Sequence, residues 1–325
     1  MTVNQAAPIS VLALDGQGGF SPVTEDPATV GPAPGAAQWV HVNFSSGPGA
    51  EWLKRHSGIM PTIAEAMLEE DSRPRHVAHG DGSLLILRGV NLNPGSELED
   101  MISVRIWLDR DRIVTASRRH LRSVTDVFEA LEKNDGPRSP TAVVLALIER
   151  LGFYIGEVVD ELGERIEVAE TGVTDPESVI HGSPFSAMRR KTARIRRSLA
   201  PQREALERAS QNPAELFSAQ EVRELREEVN WFTLLLEELD LIRERALVAQ
   251  EELLGILAHD QNQRMLVLAI VSAVFLPLAF LTGLMGMNVA GLPGTQNPWS
   301  FWILVGMMTA VGAVILVLFR VKRWL

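Results

Sequence analysis

Residues 265–288 read MLVLAIVSAVFLPLAFLTGLMGMN, and this stretch decides the fold. It opens a run from Met265 to Phe319 without Lys, Arg, Asp or Glu, 55 residues in an otherwise charge-rich chain of 325. Two apolar blocks, Met265–Leu284 and Phe301–Phe319, are parted by the polar, glycine-rich segment Gly286–Ser300. Each block makes roughly 28–30 Å of helix at about 1.5 Å per residue, the thickness of a bilayer's hydrocarbon core. The pattern predicts a transmembrane hairpin, because a soluble core would have to hide the whole uncharged run. Arg264 abuts the first span and Arg320, Lys322 and Arg323 follow the second, whereas the connecting loop has no basic residue. Positive charge stays cytoplasmic, so both termini of this multi-pass chain are expected in the cytoplasm. Trp299 and Trp302 suit the outer interface and Trp324 the inner one.

Composition excludes several function classes. Cysteine is absent, which removes disulfides and thiolate metal sites. Met1–Pro8 has neither a basic nor an apolar signal region, so no cleaved signal is expected. The net charge of −10 is unevenly spread. Ala214–Glu252 carries eleven acids against four arginines, and Ser186–Arg203 carries six Arg and one Lys with no acid. That basic stretch lacks interleaved aromatics or a binding motif, so nucleic acid is not an expected partner. Asp15-Gly16-Gln17-Gly18-Gly19 is followed by Phe20-Ser21-Pro22 instead of a helix start, and reads as a plain turn, not a nucleotide loop. With no nucleophile–base pair, phosphate loop or metal-ligand spacing, the chain does not read as an enzyme.

The organisation predicted is an α+β cytoplasmic domain over residues 1–139, a cytoplasmic helical region over 140–217, a long stalk helix over 218–264, and a transmembrane hairpin with a basic tail over 265–325. Val11–Leu14, Trp39–Phe44, Ser83–Leu92, Ile102–Leu108 and Arg112–Ser117 read as strands, and Pro61–Glu70 and Val124–Lys133 as helices. Thr141–Thr171 and Pro184–Ser210 read as long helices. Ser218-Ala219-Gln220-Glu221 is a capping box. From there no strong breaker intervenes before Pro277, so Ser218–Leu284 is expected as one helix, about 100 Å long. Val222, Leu225, Val229, Phe232, Leu236 and Leu239 suggest a heptad seam that falters at Arg243 and Gln250 and resumes at Leu253 and Leu257.

An α/β domain, a very long helix entering the membrane, Gly286-Met287-Asn288 at its outer end and a second span with a basic tail together resemble the CorA superfamily of divalent-cation transporters. Details are similar to its zinc transport branch, ZntB: Leu14-Asp15-Gly16-Gln17-Gly18-Gly19, Ser72-Arg73-Pro74-Arg75, Ala200-Pro201-Gln202-Arg203, Phe275-Leu276-Pro277, Leu281-Thr282-Gly283-Leu284 and the loop Gly291–Gly294. The magnesium branch usually has an acidic loop after Gly-Met-Asn, and this chain has no acid there. The resemblance implies a funnel-shaped homopentamer whose first spans line the pore and whose second spans face lipid. It implies zinc import, with proton coupling suggested by the ZntB branch. Mg2+, Co2+, Ni2+ and Cd2+ are the other candidate cargoes, and no permanently bound cofactor is expected. A magnesium, cobalt or nickel channel is the near alternative, and a non-conducting membrane-tethered coiled-coil scaffold or sensor the distant one. Independently, one two-span hairpin cannot enclose a polar path, so transport requires copies arranged with closed symmetry.

The expected selectivity filter is Gly286, Met287 and Asn288. Gly286 is expected to let the backbone turn and expose carbonyls. Asn288 adds an amide oxygen that holds the ion through its water shell, and Met287 is expected to pack. Stepping back by threes and fours gives a pore face of Thr282, Gly283, Ala279, Leu276, Ser272, Leu268 and Met265, with Asn262 further in. Its apolar members could close the path by dewetting. Pro277 cannot donate to Ala273 and is expected to bend or soften the helix. His259, Asp260 and Glu251 are candidate metal-meeting groups, although neighbours on a helix point about 100° apart. Arg320, Lys322 and Arg323 are expected to ring the cytoplasmic mouth and anchor lipid headgroups.

Overall fold

The computed structural model describes residues 7–23, 37–45, 47–70, 72–97, 99–172, 184–213, 216–287, 292, 294 and 296–322. Its contacts divide the chain into two compact units, Met1–Gln250 and Glu251–Leu325.

The first unit is built on a seven-stranded sheet. Its strands are β1 (Ile9–Leu14), β2 (Phe20–Pro22), β3 (Gln38–Asn43), β4 (Arg75–His79), β5 (Gly82–Gly89), β6 (Ile102–Leu108) and β7 (Arg112–Ser117), in the order β2-β1-β3-β7-β6-β5-β4. All neighbours are antiparallel except β3 and β7, which pair in parallel with Val40 beside Val114 and His41 beside Thr115. A parallel pair needs a long crossover, here the whole segment between residues 43 and 112. The central strands are nearly continuous apolar runs because both faces are covered. On one face α1 (Gly47–Arg55) and α2 (Pro61–Leu68) bring Trp52, Leu53, Ile63 and Met67 onto Val40, Val42, Ile86 and Val114. α4 (Pro140–Gly172) packs on β5, β6 and β7, and α5 (Phe185–Gln211) on β4 and β5, with α3 (Arg122–Glu132) against α4.

On the α3 side a polar knot sits among buried rings. Trp39 Nε1 donates to Thr115 Oγ1 at 2.9 Å, His41 Nδ1 lies 2.8 Å from the same oxygen, and the Trp39 ring stacks on Phe128. One hydroxyl thus satisfies two buried ring nitrogens.

The glycine-rich segment after β1 is a turn. The Asp15 carboxylate accepts from the backbone N–H of Gln17 and Gly19, at 2.7 and 2.9 Å, and these bonds hold its pKa below the usual carboxylate value. Gly16 and Gly18 take φ of 73° and 107°. A Cβ on Gly18 would also lie 3.1 Å from the carbonyls of Asn134 and Gly136, which dock on this turn.

Some expectations are corrected. β5 ends at Gly89, not Leu92, and Val90 to Leu92 leave the ladder. Arg75–His79 is a strand that sequence patterning overlooked, because its exposed edge carries no alternation. β2 and α1 were likewise unread, being short and glycine- or proline-marked.

The capping box forms as expected: Ser218 N–H donates to Glu221 Oε2 at 2.7 Å and Glu221 N–H to Ser218 Oγ at 3.2 Å. It starts α6, which runs from Ala219 to Met285. The seam differs from expectation. The buried line is Leu225, Phe232, Leu235, Leu239, Ile242, Ala246, Ala249 and Leu253. Its steps alternate three and four from Phe232 onward, so it runs through Leu235, not Leu236, and passes Ile242 and Ala249, not Arg243 and Gln250. The interruption existed only in the wrong register. α4 answers with Gly152 and Gly156, where an added Cβ would meet the Trp231 indole at 2.9 and 3.1 Å. Arg196 bridges α5 to Asp240 at 2.7 Å, and Arg245 joins Glu170 in a forked pair.

Gly82 offers a packing test. A Cβ there would lie 2.2 Å from the Trp107 ring, and Trp107 is itself 7% exposed. Gly82→Ala is expected to cost about 1–3 kcal/mol by overpacking, measured by thermal unfolding. Adding Trp107→Leu should recover part of the loss, and equal melting of Gly82→Ala and wild type would refute the assignment.

Candidate cation path

In the second unit, α6 continues through Pro277 to Met285 and α7 spans Ser300–Val321. Both are long and apolar enough to cross a membrane, with a mean window hydropathy of 2.5 and no buried residue in those windows. Leu276 is 75% exposed and Leu268 67% exposed, so the described residues leave these apolar faces uncovered. Pro277 sits inside a helix that does not end there, although its ring removes one backbone donor.

Continuity of α6 fixes which side chains share a face. At about 100° per residue, Glu251, Asn262, Leu268, Ser272, Leu276, Ala279 and Gly283 project within roughly 60° of Met265. Thr282 projects about 100° from Met265, outside this stripe. His259 and Asp260 project to opposite sides, about 120° and 140° from Met265. Each has its own neighbour one turn on: His259 Nε2 lies 3.0 Å from Gln263 Nε2, and Asp260 pairs with Arg264 at 2.8 Å. The helix therefore does not bring the two together. Among the described residues no group of three or more His, Asp or Glu is arranged to hold a metal.

Ser272, in the stripe, and Thr282, beside it, donate back into the helix, to Leu268 O at 2.8 Å and to Ala279 O at 2.9 Å. Their protons are spent, so each oxygen presents lone pairs outward, the polarity suited to a cation or its water shell. Gly286 departs from expectation. Its N–H still closes a helical bond to Thr282 O at 2.9 Å, and its φ is not in the left-handed region. Glycine matters there for space: a Cβ would lie 3.0 Å from the Thr282 carbonyl. Met287 follows, 46% exposed, and Asn288 lies outside the described residues.

The approach to α7 is a chain of local turns. Gly294, at φ 88°, accepts from the Asn297 N–H and the Ser300 hydroxyl, while Asn297 Oδ1 accepts from the Trp299 N–H. Arg320 lies in the last turn of α7 and Lys322 N–H caps it on Leu318 O, whereas Arg323 lies outside the described residues.

In the first unit a cavity of about 550 Å³ gathers Asp126, Asp135, Glu149, Glu221, Glu224 and Glu227 around Glu228, with Arg150 beside them. Glu228 falls three residues after Leu225 and four before Phe232, on the buried seam. Among the described residues its Oε2 has no hydrogen-bond partner, and burial, then the charge of Glu149, pushes its carboxyl up to about 7. Sequence reasoning missed this residue. The signal was its three-and-four spacing from Leu225 and Phe232, hidden by choosing Val229 as the seam position.

Comparison with known proteins agrees with this architecture. A family model described as "CorA-like Mg2+ transporter protein" matches residues 35–323. The chain is 34% identical over 315 residues to the divalent cation transporter CmaX of Pseudomonas aeruginosa, covering 96% of this chain and 95% of that protein. It is 28% identical to the zinc transport protein ZntB of Pectobacterium carotovorum, covering 96% and 94%. A structure of full-length CmaX superposes with a TM-score of 0.83 at 33% identity, covering 97% of both chains. The complete CorA magnesium transporter of Methanocaldococcus jannaschii shares the fold, with a TM-score of 0.81 at 16% identity over 97% of this chain and 99% of that one. With two membrane-length apolar helices after an α+β unit, and a family match over most of its length, the chain belongs to the CorA-like Mg2+ transporter family, whose members are ion transporters and not enzymes.

Proposed function

We propose that this protein is a divalent-cation importer of the bacterial inner membrane that works as a homopentamer, with zinc as its leading cargo. The observation that carries this reading is Gly286-Met287-Asn288, placed directly after an apolar helix of membrane length in a CorA-family chain. Five copies would set five Asn288 amides in a ring, with Ser272 and Thr282 offering oxygens below and α7 facing lipid. Residues 1–139, 140–217 and 218–264 would form the cytoplasmic portion, and Arg320, Lys322 and Arg323 would sit at the inner headgroups. Hydrated divalent ions would be held through water, since neutral oxygens release an ion more readily than a ring of carboxylates. An inside-negative potential of 100 mV gives a divalent ion about 4.6 kcal/mol on entry, enough for accumulation of roughly three orders of magnitude without a coupled proton.

Zinc is supported by the likeness to ZntB and by an uncharged loop after the filter. Magnesium is the second reading, supported by the family description. Proteoliposomes containing only this protein separate them. Uptake of zinc that a tenfold excess of magnesium leaves unchanged is the expected result, and magnesium uptake blocked by no zinc concentration would reverse the choice. In the same assay, flux is expected to fall as ionic strength rises at fixed metal activity, because the acidic stretch Ala214–Glu252 concentrates cations within about a Debye length. Glu237→Gln with Glu238→Gln should weaken that dependence, and a flat wild-type response would leave this stretch a scaffold.

A further inference from the structure

We propose that two adjoining arginine-lined cavities in the first unit form a binding site for a soluble anion carrying two phosphoryl groups. One cavity, of about 380 Å³, is lined by Arg88, Arg105, Arg118 and Arg119. The other, of about 630 Å³, is lined by Arg73, Arg88, Arg194 and Arg197. They share Arg88 and Glu99, so they meet at these two residues. Together their volume is in the range of small-ligand pockets. The concentration of cations stands out on a chain of net charge −10.

Of the acids in these walls, Glu70, Glu99 and Glu204 have basic partners, and Asp100 is the remaining one. Glu70 pairs with Arg118 at 2.8 Å, and Glu204 lies 3.7 Å from Arg208. Glu99, whose side chain is 7% exposed, is held between Lys191 and Arg194 at 3.6 Å each. Arg105 is the telling residue. It is 3% exposed, yet among the described residues its guanidinium forms no ion pair with a carboxylate. Two of its nitrogens donate to the carbonyls of Ser103 and Glu69, at 3.1 and 2.6 Å, and its Nε has no partner among the described residues. Its outer face lies 4.8 Å from the Phe44 ring centroid. Burial, then the charge of Arg88, pulls its pKa down to about 10, with Glu69 opposing the shift and Arg118 adding to it, so neighbouring cations act on it together with desolvation. A buried cation crowded by other cations is destabilising unless an anion joins it. Arginine without lysine on the cavity walls favours forked, two-point recognition of oxyanions, the geometry of a phosphoryl group. Two such walls meeting at Arg88 call for two linked groups.

Titration of the full chain in neutral detergent with pyrophosphate, metal-free and at constant ionic strength, tests this. Saturable binding is expected, much tighter than for chloride. Arg119→Ala in one cavity and Arg197→Ala in the other should each weaken it about tenfold. Both positions are exposed, so the fold should persist, as unfolding by circular dichroism would verify. Arg165→Ala, an exposed arginine paired with Glu161, should leave the affinity unchanged. Pyrophosphate binding no tighter than chloride would overturn the proposal, as would equal weakening by Arg165→Ala. Tighter binding of short-chain phosphatidic acid than of pyrophosphate would overturn it in favour of a lipid headgroup.

Discussion

Asn288→Leu is expected to reduce divalent-cation uptake by about two orders of magnitude while leaving the oligomer intact. In the proposed ring, five amide oxygens would be replaced by hydrocarbon where a hydrated ion first leaves bulk water. The ion's second shell would lose its acceptors, and a barrier raised by only about 2.7 kcal/mol slows passage roughly a hundredfold. Because the residue follows the apolar span in the sequence, helix insertion should be unaffected. Uptake into proteoliposomes, read with a metal-sensitive dye, checks the rate, and size exclusion in the same detergent checks assembly. Uptake at the wild-type rate would remove Asn288 from the filter. Gly286→Ala is a useful companion: the added Cβ would press on the Thr282 carbonyl at 3.0 Å, so its effect reports spacing at the end of α6.

The stability of the first unit should depend on pH through two groups that act in opposite directions. Burial, then the nearby charge of His120, holds His41 near pKa 4 against an ordinary 6.5, and it is neutral where it meets Thr115. Between these values the unfolded chain binds a proton that the folded one refuses. Stability is therefore complete above about pH 6.5 and falls as pH drops towards 4, by on the order of 3 kcal/mol. Glu228 is reversed. Its folded pKa of about 7 lies above the ordinary 4.5, so its contribution is present below 4.5 and is lost as pH rises through 7. Asp126, Asp135 and Glu149 face it from the α3–α4 side, Glu221, Glu224 and Glu227 from α6, and Arg150 is the basic group nearby. Glu228→Gln should raise the melting temperature of the full chain at pH 8 by about 2–4 °C and change it little at pH 5. An equal shift at both pH values would show that the carboxylate is not strained. For His41, an imidazole resonance that shows no protonation at pH 5 is the expected observation, and a midpoint near 6.5 would contradict its burial.

What the sequence determined by itself is everything whose cause is local. The 55-residue uncharged run, the capping box at Ser218, the turn at Asp15 and the long uninterrupted helix depend on neighbours within a few positions, and each appears in the structure where composition put it. Ile102–Leu108 and Arg112–Ser117 were legible for the same reason, as short runs rich in Val, Ile, Leu and Trp between turn-forming residues. The Gly-Met-Asn motif was legible too, although its role in the path remains part of the proposed function. What only the tertiary structure decided depends on which distant segments meet. Parallel pairing of β3 with β7 places His41 beside Thr115 and fixes its neutral state. The edge strand Arg75–His79 exists because β5 offers it a ladder. The stalk register was ambiguous in one dimension, because Leu235 and Leu236 are equally apolar. Packing against the α4 face that carries Gly152 and Gly156 selected Leu235 and so turned Glu228 inward. The burial of Arg105 is of the same kind: on its strand it reads as one more surface arginine, and only the closing of Phe44, Glu69 and Arg118 around it makes it a charge that needs a partner.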